Sequence, residues 1–87
     1  MPRFMVTRTL PPLSPEQLHE VARNVVRAGD EIGVQWIRSN LTADGEHSFC
    51  EYDAPDVQAI HEHSRVSGIP FDNIAPLGVE LEPSWAT

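Results

Sequence analysis

Residues 34–52 read VQWIRSNLTADGEHSFCEY, and they carry the clearest signal for the fold of this chain. Its two halves carry the β-branched and aromatic residues that favour strands. Between them, Asp44-Gly45 is a strong signal for the tight turn of a β-hairpin. The stretch therefore predicts two antiparallel strands, Val34–Leu41 and His47–Tyr52, joined by a short turn.

A strand and a helix precede this hairpin. The apolar segment Phe4–Leu10 predicts a strand that ends before two consecutive prolines. Ser14-Pro15-Glu16-Gln17 then begins a helix, with a capping serine, a proline at the first position and a glutamine that completes a capping box. Apolar residues follow at helical spacing up to the predicted stop at Gly29, namely Leu18, Val21, Ala22, Val25 and Val26.

A second helix and a fourth strand follow the hairpin. Asp53 or Asp56 can cap the helix, which is predicted to run to about Ser67 and to end at Gly68. Its predicted core-facing stripe consists of Val57, Ile60, Ser64 and Gly68, flanked by His61. Ile74–Leu81 is the last predicted strand, and the proline within it favours an edge position in the sheet.

The element order β-α-β-β-α-β is typical of the ferredoxin-like fold. We therefore expect an α+β protein with a four-stranded antiparallel sheet and both helices on one face. One domain accounts for residues 1–87, with a core at about 3–82 and a tail at 83–87. Apolar residues occur at both strand parities, as in Phe49 beside Cys50, so the second sheet face should pack against a partner. The simplest partner is a second copy, which gives a homodimer packed sheet to sheet.

The composition excludes several classes of partner. The chain carries 13 acidic and 6 basic residues, whereas nucleic acids and anionic membranes select basic patches. The N-terminus lacks the apolar segment of a signal peptide, and no apolar run approaches the roughly 18 residues of a membrane span. The one cysteine cannot form an internal disulfide, which favours a reducing compartment. We therefore expect a cytoplasmic protein that binds neither nucleic acid nor membrane.

Three of the four histidines, His47, His61 and His63, lie close in sequence to Cys50. Imidazole and thiolate are side chains that transition metals prefer. His61 and His63 are two residues apart on a helix and do not face each other, while His47 and Cys50 are three apart on a strand and point to opposite faces. The four residues therefore cannot form one chelate. At most one helix histidine meets one strand ligand, with a second subunit completing the site.

Arg38 and Tyr52 are further candidates for a binding site. On its strand, Arg38 can hold an anion or a carboxylate in a bidentate manner, or it can form a salt bridge to Glu51 across the hairpin. Tyr52 can offer its hydroxyl to a pocket or pack with that hydroxyl satisfied. The sequence has no glycine-rich phosphate loop and no Gly-x-Ser-x-Gly elbow. It therefore favours a binding protein over an enzyme, with no catalytic residue assigned and no nucleotide or organic cofactor indicated.

Several short motifs occur in an order that resembles a small bacterial family of ferredoxin-like domains. They are Arg3–Arg8, Ile37–Ser39, Cys50–Pro55, Glu62–Ser64 and Ser67–Pro70. The resemblance spans about residues 3–82, and the family, largely of unknown function, includes nickel-binding proteins. It implies a ferredoxin-like fold, a cytosolic homodimer and binding of nickel or another divalent metal. The family-like positions are Ser39, Cys50, Tyr52, Pro55, His63, Gly68 and Pro70.

With this resemblance, Cys50 and His63 are the predicted metal ligands, and Tyr52 or water fills the other positions. His61 stands where the family has an arginine before Glu62-His63, and it adds a potential ligand. The candidate pocket residues are Arg38, Ser39, Tyr52 and His61.

Two other functions stay open at this point. One is a dimeric α+β barrel enzyme acting on a small organic substrate, by analogy of fold. Cys50 would then be the nucleophile or acid, His63 the base and Arg38 the anion anchor. The other is a non-catalytic interaction module with no small ligand.

Overall fold

The hairpin and the two helices form in the expected order, in a computed structural model that describes residues 1–87. The strands are β1 (Arg3–Thr9), β2 (Gln35–Leu41), β3 (His47–Asp53) and β4 (Asn73–Leu77), the helices are α1 (Pro15–Ile32) and α2 (Val57–Ser67), and a short 3-10 helix spans Pro83–Ala86. The strands pair antiparallel in the order β2-β3-β1-β4. The prediction of a ferredoxin-like α+β fold is confirmed. No helix has both the length and the apolarity needed to cross a membrane.

Helix α1 begins as predicted and ends about one turn later than predicted. The Ser14 hydroxyl accepts the Gln17 backbone N–H at 3.2 Å, and the Gln17 side chain accepts the Ser14 N–H at 2.8 Å. The predicted stop at Gly29 is wrong, because the helix continues to the C-cap Gly33, whose φ of 85° is left-handed. Gly29 instead permits a close approach, since a Cβ there would lie 2.4 Å from the Val34 carbonyl oxygen.

Strand β4 is shorter than the predicted strand Ile74–Leu81. It pairs only with β1, and the register places Leu77 opposite Arg3, where β1 begins. Beyond Leu77 no neighbouring strand is left to exchange backbone hydrogen bonds, so the strand stops there. The edge position that the proline predicted is confirmed.

The buried face of α2 differs from the predicted stripe. Asp56 caps this helix and Gly68 ends it, both within the prediction. The buried residues are Ile60, His63, Ser64 and Ser67. Val57, predicted to face the core, is 39% exposed. His63 therefore faces inward and His61 outward, because the few apolar side chains of α2 do not define one face and packing against α1 and the sheet does.

The two faces of the sheet differ in character. The helix-facing side alternates along β1 and β3 through Phe4, Val6, Arg8, Ser48, Cys50 and Tyr52, all of them buried. On the outer face, Phe49 is exposed beside half-buried Met5, and Arg3 and Arg38 form ion pairs with Glu51. The outer face is therefore partly apolar and partly charged, and no helix of the chain covers it.

Candidate functional site

A cavity of about 240 Å³ lies between α1 and the helix-facing side of the sheet. Most of its wall is aliphatic, contributed by α1, by the segment before it and by the end of β2. The polar lining residues are Arg8, Ser39, Ser48 and Tyr52, and the thiol-bearing Cys50 lies among them. The structure therefore brings three of the predicted site residues, Ser39, Cys50 and Tyr52, to one cavity.

A β-bulge in β2 places Ser39 in this cavity. Trp36 lies opposite Tyr52 and Arg38 lies opposite Glu51, so β2 has one more residue than β3 across this interval. The bulge lets Trp36 and Ser39, three residues apart, share one face, and the Trp36 indole N–H donates to the Ser39 hydroxyl at 2.9 Å. Sequence alternation alone would put these two side chains on opposite faces.

Two of the predicted pocket residues lie outside the cavity. Arg38 is exposed on the outer face, where it donates to the Glu51 carboxylate at 3.1 Å. Of the two alternatives for Arg38, the structure shows the salt bridge across the hairpin. His61 lies on the exposed side of α2. Its ring meets the ring of Phe71 edge-on, and the two ring centroids are 5.3 Å apart. The arrangement that the enzyme alternative needs, with Arg38 beside Cys50 and His63, is therefore not formed. A ligand role for either residue stays a prediction.

Arg8 is the site residue that sequence reasoning missed. It is 3% exposed and forms no ion pair. Its guanidinium donates to the carbonyl oxygens of Ile69 at 3.0 Å and Pro70 at 2.8 Å, and to the Tyr52 hydroxyl at 3.3 Å. A signal was present in the sequence, because Arg8 has the same parity on β1 as buried Val6. Because residues of the same parity share one face of a strand, the face that buries Val6 also turns Arg8 inward.

Tyr52 and His63 form a buried pair behind Arg8. Their ring centroids are 5.1 Å apart, and the His63 Nε2–H donates to the backbone carbonyl of Val25 on α1 at 3.0 Å. Burial raises the pKa of Tyr52 above its usual 10.0, against the opposing effect of the Arg8 charge. Burial lowers the pKa of His63 below its usual 6.5, and the Arg8 charge adds to this while the Val25 carbonyl opposes it. Both side chains are therefore neutral at physiological pH.

The lowered pKa of His63 predicts acid sensitivity. In the unfolded chain His63 binds a proton at its usual pKa of 6.5, whereas in the folded chain its pKa is lower. The stability that neutral His63 contributes is therefore fully present above the unfolded pKa, and it is lost as the pH falls through the folded pKa. We expect the thermal midpoint to decrease as the pH is lowered from about 7.5 to 5.5, and the slope of midpoint against pH to be smaller in His63→Gln. Exposed His19 provides the control, and His19→Gln should keep the wild-type slope. Equal slopes for all three proteins would show that His63 does not titrate differently on folding.

Cys50 and His63 do not share one cavity. Cys50 is 5% exposed, lines the cavity and lies with its Sγ 3.7 Å from the Ser48 hydroxyl. His63 is 1% exposed and packs against Tyr52 instead of lining the cavity. Thiolate and imidazole are suitable donors for nickel. As arranged here, however, the pair does not fit a divalent cation, because the two side chains do not line one cavity and the unpaired charge of Arg8 is close to His63.

One chain does not hold a complete chelate for a metal. No group of three or more histidine, cysteine, aspartate and glutamate side chains converges on a common point. The square-planar and tetragonal geometries typical of Ni(II) need four ligands or more. Any nickel site must therefore draw on donors from more than one chain or from solvent.

An exposed donor pair, which we call the rim pair, consists of His47 and Asp72. The Thr9 hydroxyl lies between them and donates to the Asp72 carboxylate at 2.6 Å. Because that hydroxyl has a single proton, it must accept from His47 Nδ1, which is 3.4 Å away. The exposed His47 ring then keeps the Nε2 lone pair free, and metal-ligating histidines are held by the same kind of contact. Imidazole nitrogen and carboxylate are donor types that suit nickel, and in this arrangement the free Nε2 of His47 points away from Asp72.

Comparison with known proteins places the chain in a family and shows its fold in a solved structure. The crystal structure of SCO4226 from Streptomyces coelicolor A3(2) matches with a TM-score of 0.81 over 91% of this chain and 99% of that chain, at 15% identity. At that identity the likeness shows a shared fold. No curated protein matches the sequence. The family described as nickel responsive protein SCO4226-like matches residues 4–77, which confirms the family resemblance seen in the short motifs. The chain belongs to the SCO4226-like family of nickel responsive proteins.

Proposed function

We propose that this protein binds a divalent transition-metal ion, with nickel as the expected ion, in a homodimer. The observation that carries the proposal is family membership over residues 4–77. The net charge of −7 supports it, because an acidic surface raises the local concentration of cations. The family description names responsiveness to nickel, and direct binding is the simplest physical basis for such a response.

The rim pair offers the best-suited donors for this ion. His47 and Asp72 are exposed, so binding does not require the chain to open. The contact through Thr9 orients the His47 ring and sets its tautomer before the metal arrives, which lowers the ordering cost of binding. Each chain supplies the Nε2 lone pair of His47, which points away from Thr9 and Asp72, and a second copy of the chain or water supplies the other donors.

A homodimer through the outer sheet face is consistent with this arrangement. That face carries Phe49, which is 43% exposed, together with Met5 and the exposed Leu77 at the end of β4. Thr9 and His47 pair at one end of the same face. A dimer formed there would have the rim pair at the edge of its interface, where donors from both chains can approach one ion.

The predicted ligands Cys50 and His63 stay a prediction, and the same experiment tests them. Binding at this interior pair would require a cation to enter beside Arg8 and to reach two side chains that do not line one cavity. The contacts in the structure therefore favour the rim pair over the interior pair.

Calorimetric titration of tag-free protein with nickel tests the proposal. We expect saturable binding with one ion for two chains, and affinity at least about ten-fold weaker in His47→Ala, because one first-sphere donor is lost. Phe49→Arg should weaken binding and lower the mass measured by light scattering, since it places a charge in the apolar part of the interface. His19→Ala removes an exposed histidine on α1 and should bind like the wild type.

The outcomes separate the two donor pairs. Loss of binding in Cys50→Ala with His47→Ala unaffected would move the site to the interior pair. Absence of binding heat in the wild type, checked by equilibrium dialysis, would overturn the proposal that this chain binds nickel directly.

A further inference from the structure

Arg8 carries a buried charge that the protein does not neutralise. Four of the other five arginines form ion pairs with carboxylates, namely Arg3, Arg23, Arg38 and Arg65, and Arg27 is exposed. Arg8 is the one buried arginine, and its only partners are two backbone carbonyls and a phenol. A guanidinium cannot shed its proton at accessible pH, so this charge persists in the interior. Isolated buried charges are costly unless a counter-charge lies nearby.

The guanidinium of Arg8 also has unused hydrogen-bonding capacity. It has five N–H donors, and the three contacts to Ile69, Pro70 and Tyr52 use three of them. Neither the Nε–H nor the second N–H of NH2 has a protein acceptor. Arg8 lines the cavity under α1, and no acidic residue does. Guanidinium is well matched to planar carboxylate groups, which it binds through two parallel hydrogen bonds.

The remaining walls of the cavity are suited to an apolar group. Eleven of its fourteen lining residues are hydrophobic when Cys50 and Tyr52 are counted, and four of them are leucines, of which Leu18 and Leu41 are partly exposed. The hydroxyls of Ser39, Ser48 and Tyr52 supply further polar contacts. At about 30 Å³ for each water, 240 Å³ corresponds to about eight waters, so a ligand has on the order of eight to ten heavy atoms.

We propose that this cavity is a binding site for a small organic carboxylate with an apolar body, held by Arg8. The carboxylate pairs with the unused N–H groups of the guanidinium and neutralises the buried charge. The apolar body lies against the aliphatic side chains from α1. This site is separate from the rim pair, which lies at the end of the outer face, and it takes a ligand of opposite charge.

Benzoate and benzamide form a matched pair of probes, since they share size and shape and differ in charge. Metal-free protein is titrated with each probe while the two tryptophan indole N–H signals are followed by NMR. Trp36 lines the cavity, whereas Trp85 lies on the exposed 3-10 helix and serves as an internal reference. We expect benzoate to shift the Trp36 signal saturably, the Trp85 signal to stay, and benzamide to bind at least about ten-fold more weakly.

Three variants keep the test decisive. Arg8→Met should abolish the preference for benzoate, but it also removes three hydrogen bonds and weakens the fold. Ala22→Leu keeps those bonds and fills the cavity from α1, so it should abolish benzoate binding in a folded protein. Arg23→Met removes an exposed charge from the same helix and should bind like the wild type.

Several results would overturn the proposal. These are equal affinity for benzoate and benzamide, unchanged benzoate binding in Ala22→Leu, and the absence of any saturable shift at Trp36. Inorganic phosphate that binds as tightly as benzoate would show that the site selects charge alone and not a carboxylate with an apolar body. Because no metal is present, each of these results leaves the nickel proposal untouched.

Discussion

Replacing Gly29 with alanine is expected to lower the free energy of unfolding by about 2–3 kcal/mol. A Cβ at this position would lie 2.4 Å from the carbonyl oxygen of Val34, a backbone atom that no side-chain rotation can move. Either α1 or the start of β2 must therefore shift. Gly29 lies inside α1 without a positive φ, where alanine is otherwise preferred by about 1 kcal/mol. The close contact alone decides the sign of the change.

Urea unfolding of Gly29→Ala beside Gly78→Ala measures this effect. A Cβ at Gly78 meets nothing within 4 Å, and this residue also lacks a positive φ. We expect Gly78→Ala to change stability by less than about 0.5 kcal/mol. The thermal midpoint of Gly29→Ala should fall by on the order of 10 °C, given the usual relation for a domain of this size. Equal stability of the two variants would contradict the close packing of α1 on the start of β2.

Replacing His63 with alanine is expected to cost about 3 kcal/mol. The substitution leaves a cavity beside the Tyr52 ring and removes the hydrogen bond to the Val25 carbonyl. His63 is buried at the contact of α2 with α1 and the sheet, so little solvent can compensate for the lost imidazole. A large-to-small change in such a position loses both transfer free energy and packing.

His61→Ala is the matched control, two residues earlier on the same helix. His61 is exposed and contacts Phe71 by its ring edge, so we expect a loss below about 0.5 kcal/mol. Denaturant unfolding of both variants at neutral pH makes the comparison. A greater loss in His61→Ala would show that α2 packs in the orientation that the sequence predicted, with His61 flanking the core-facing stripe.

Local signals in the sequence predicted most of the secondary structure. The Ser14-Pro15-Glu16-Gln17 capping box, the Asp44-Gly45 turn and the Gly68 stop act within a few residues of the chain, so they are independent of the tertiary contacts. Two boundaries failed for non-local reasons. The glycine at position 29 serves the close approach to Val34 and does not end α1. The end of β4 is determined by the residue at which β1 begins.

The candidate sites were harder to predict, because they depend on which face of an element turns inward. The parity rule placed Cys50 and Tyr52 on one face, and the structure agrees. It could not place Ser39 beside them, since the bulge between Trp36 and Arg38 shifts the alternation by one residue. It also could not show that Asp72, which is distant in sequence, approaches His47 through Thr9.

The order of elements and the main caps and turns were predictable from the amino-acid sequence, because they follow from hydrophobic period and short-range hydrogen bonds. The family followed from motif resemblance and is confirmed by the match over residues 4–77. Three features became apparent only in the folded chain: His63 turns inward, Arg8 is buried without a counter-charge, and a cavity lies beside Arg8. Those features arise from the packing of α1 and α2 against the sheet, where contacts join residues far apart in the chain.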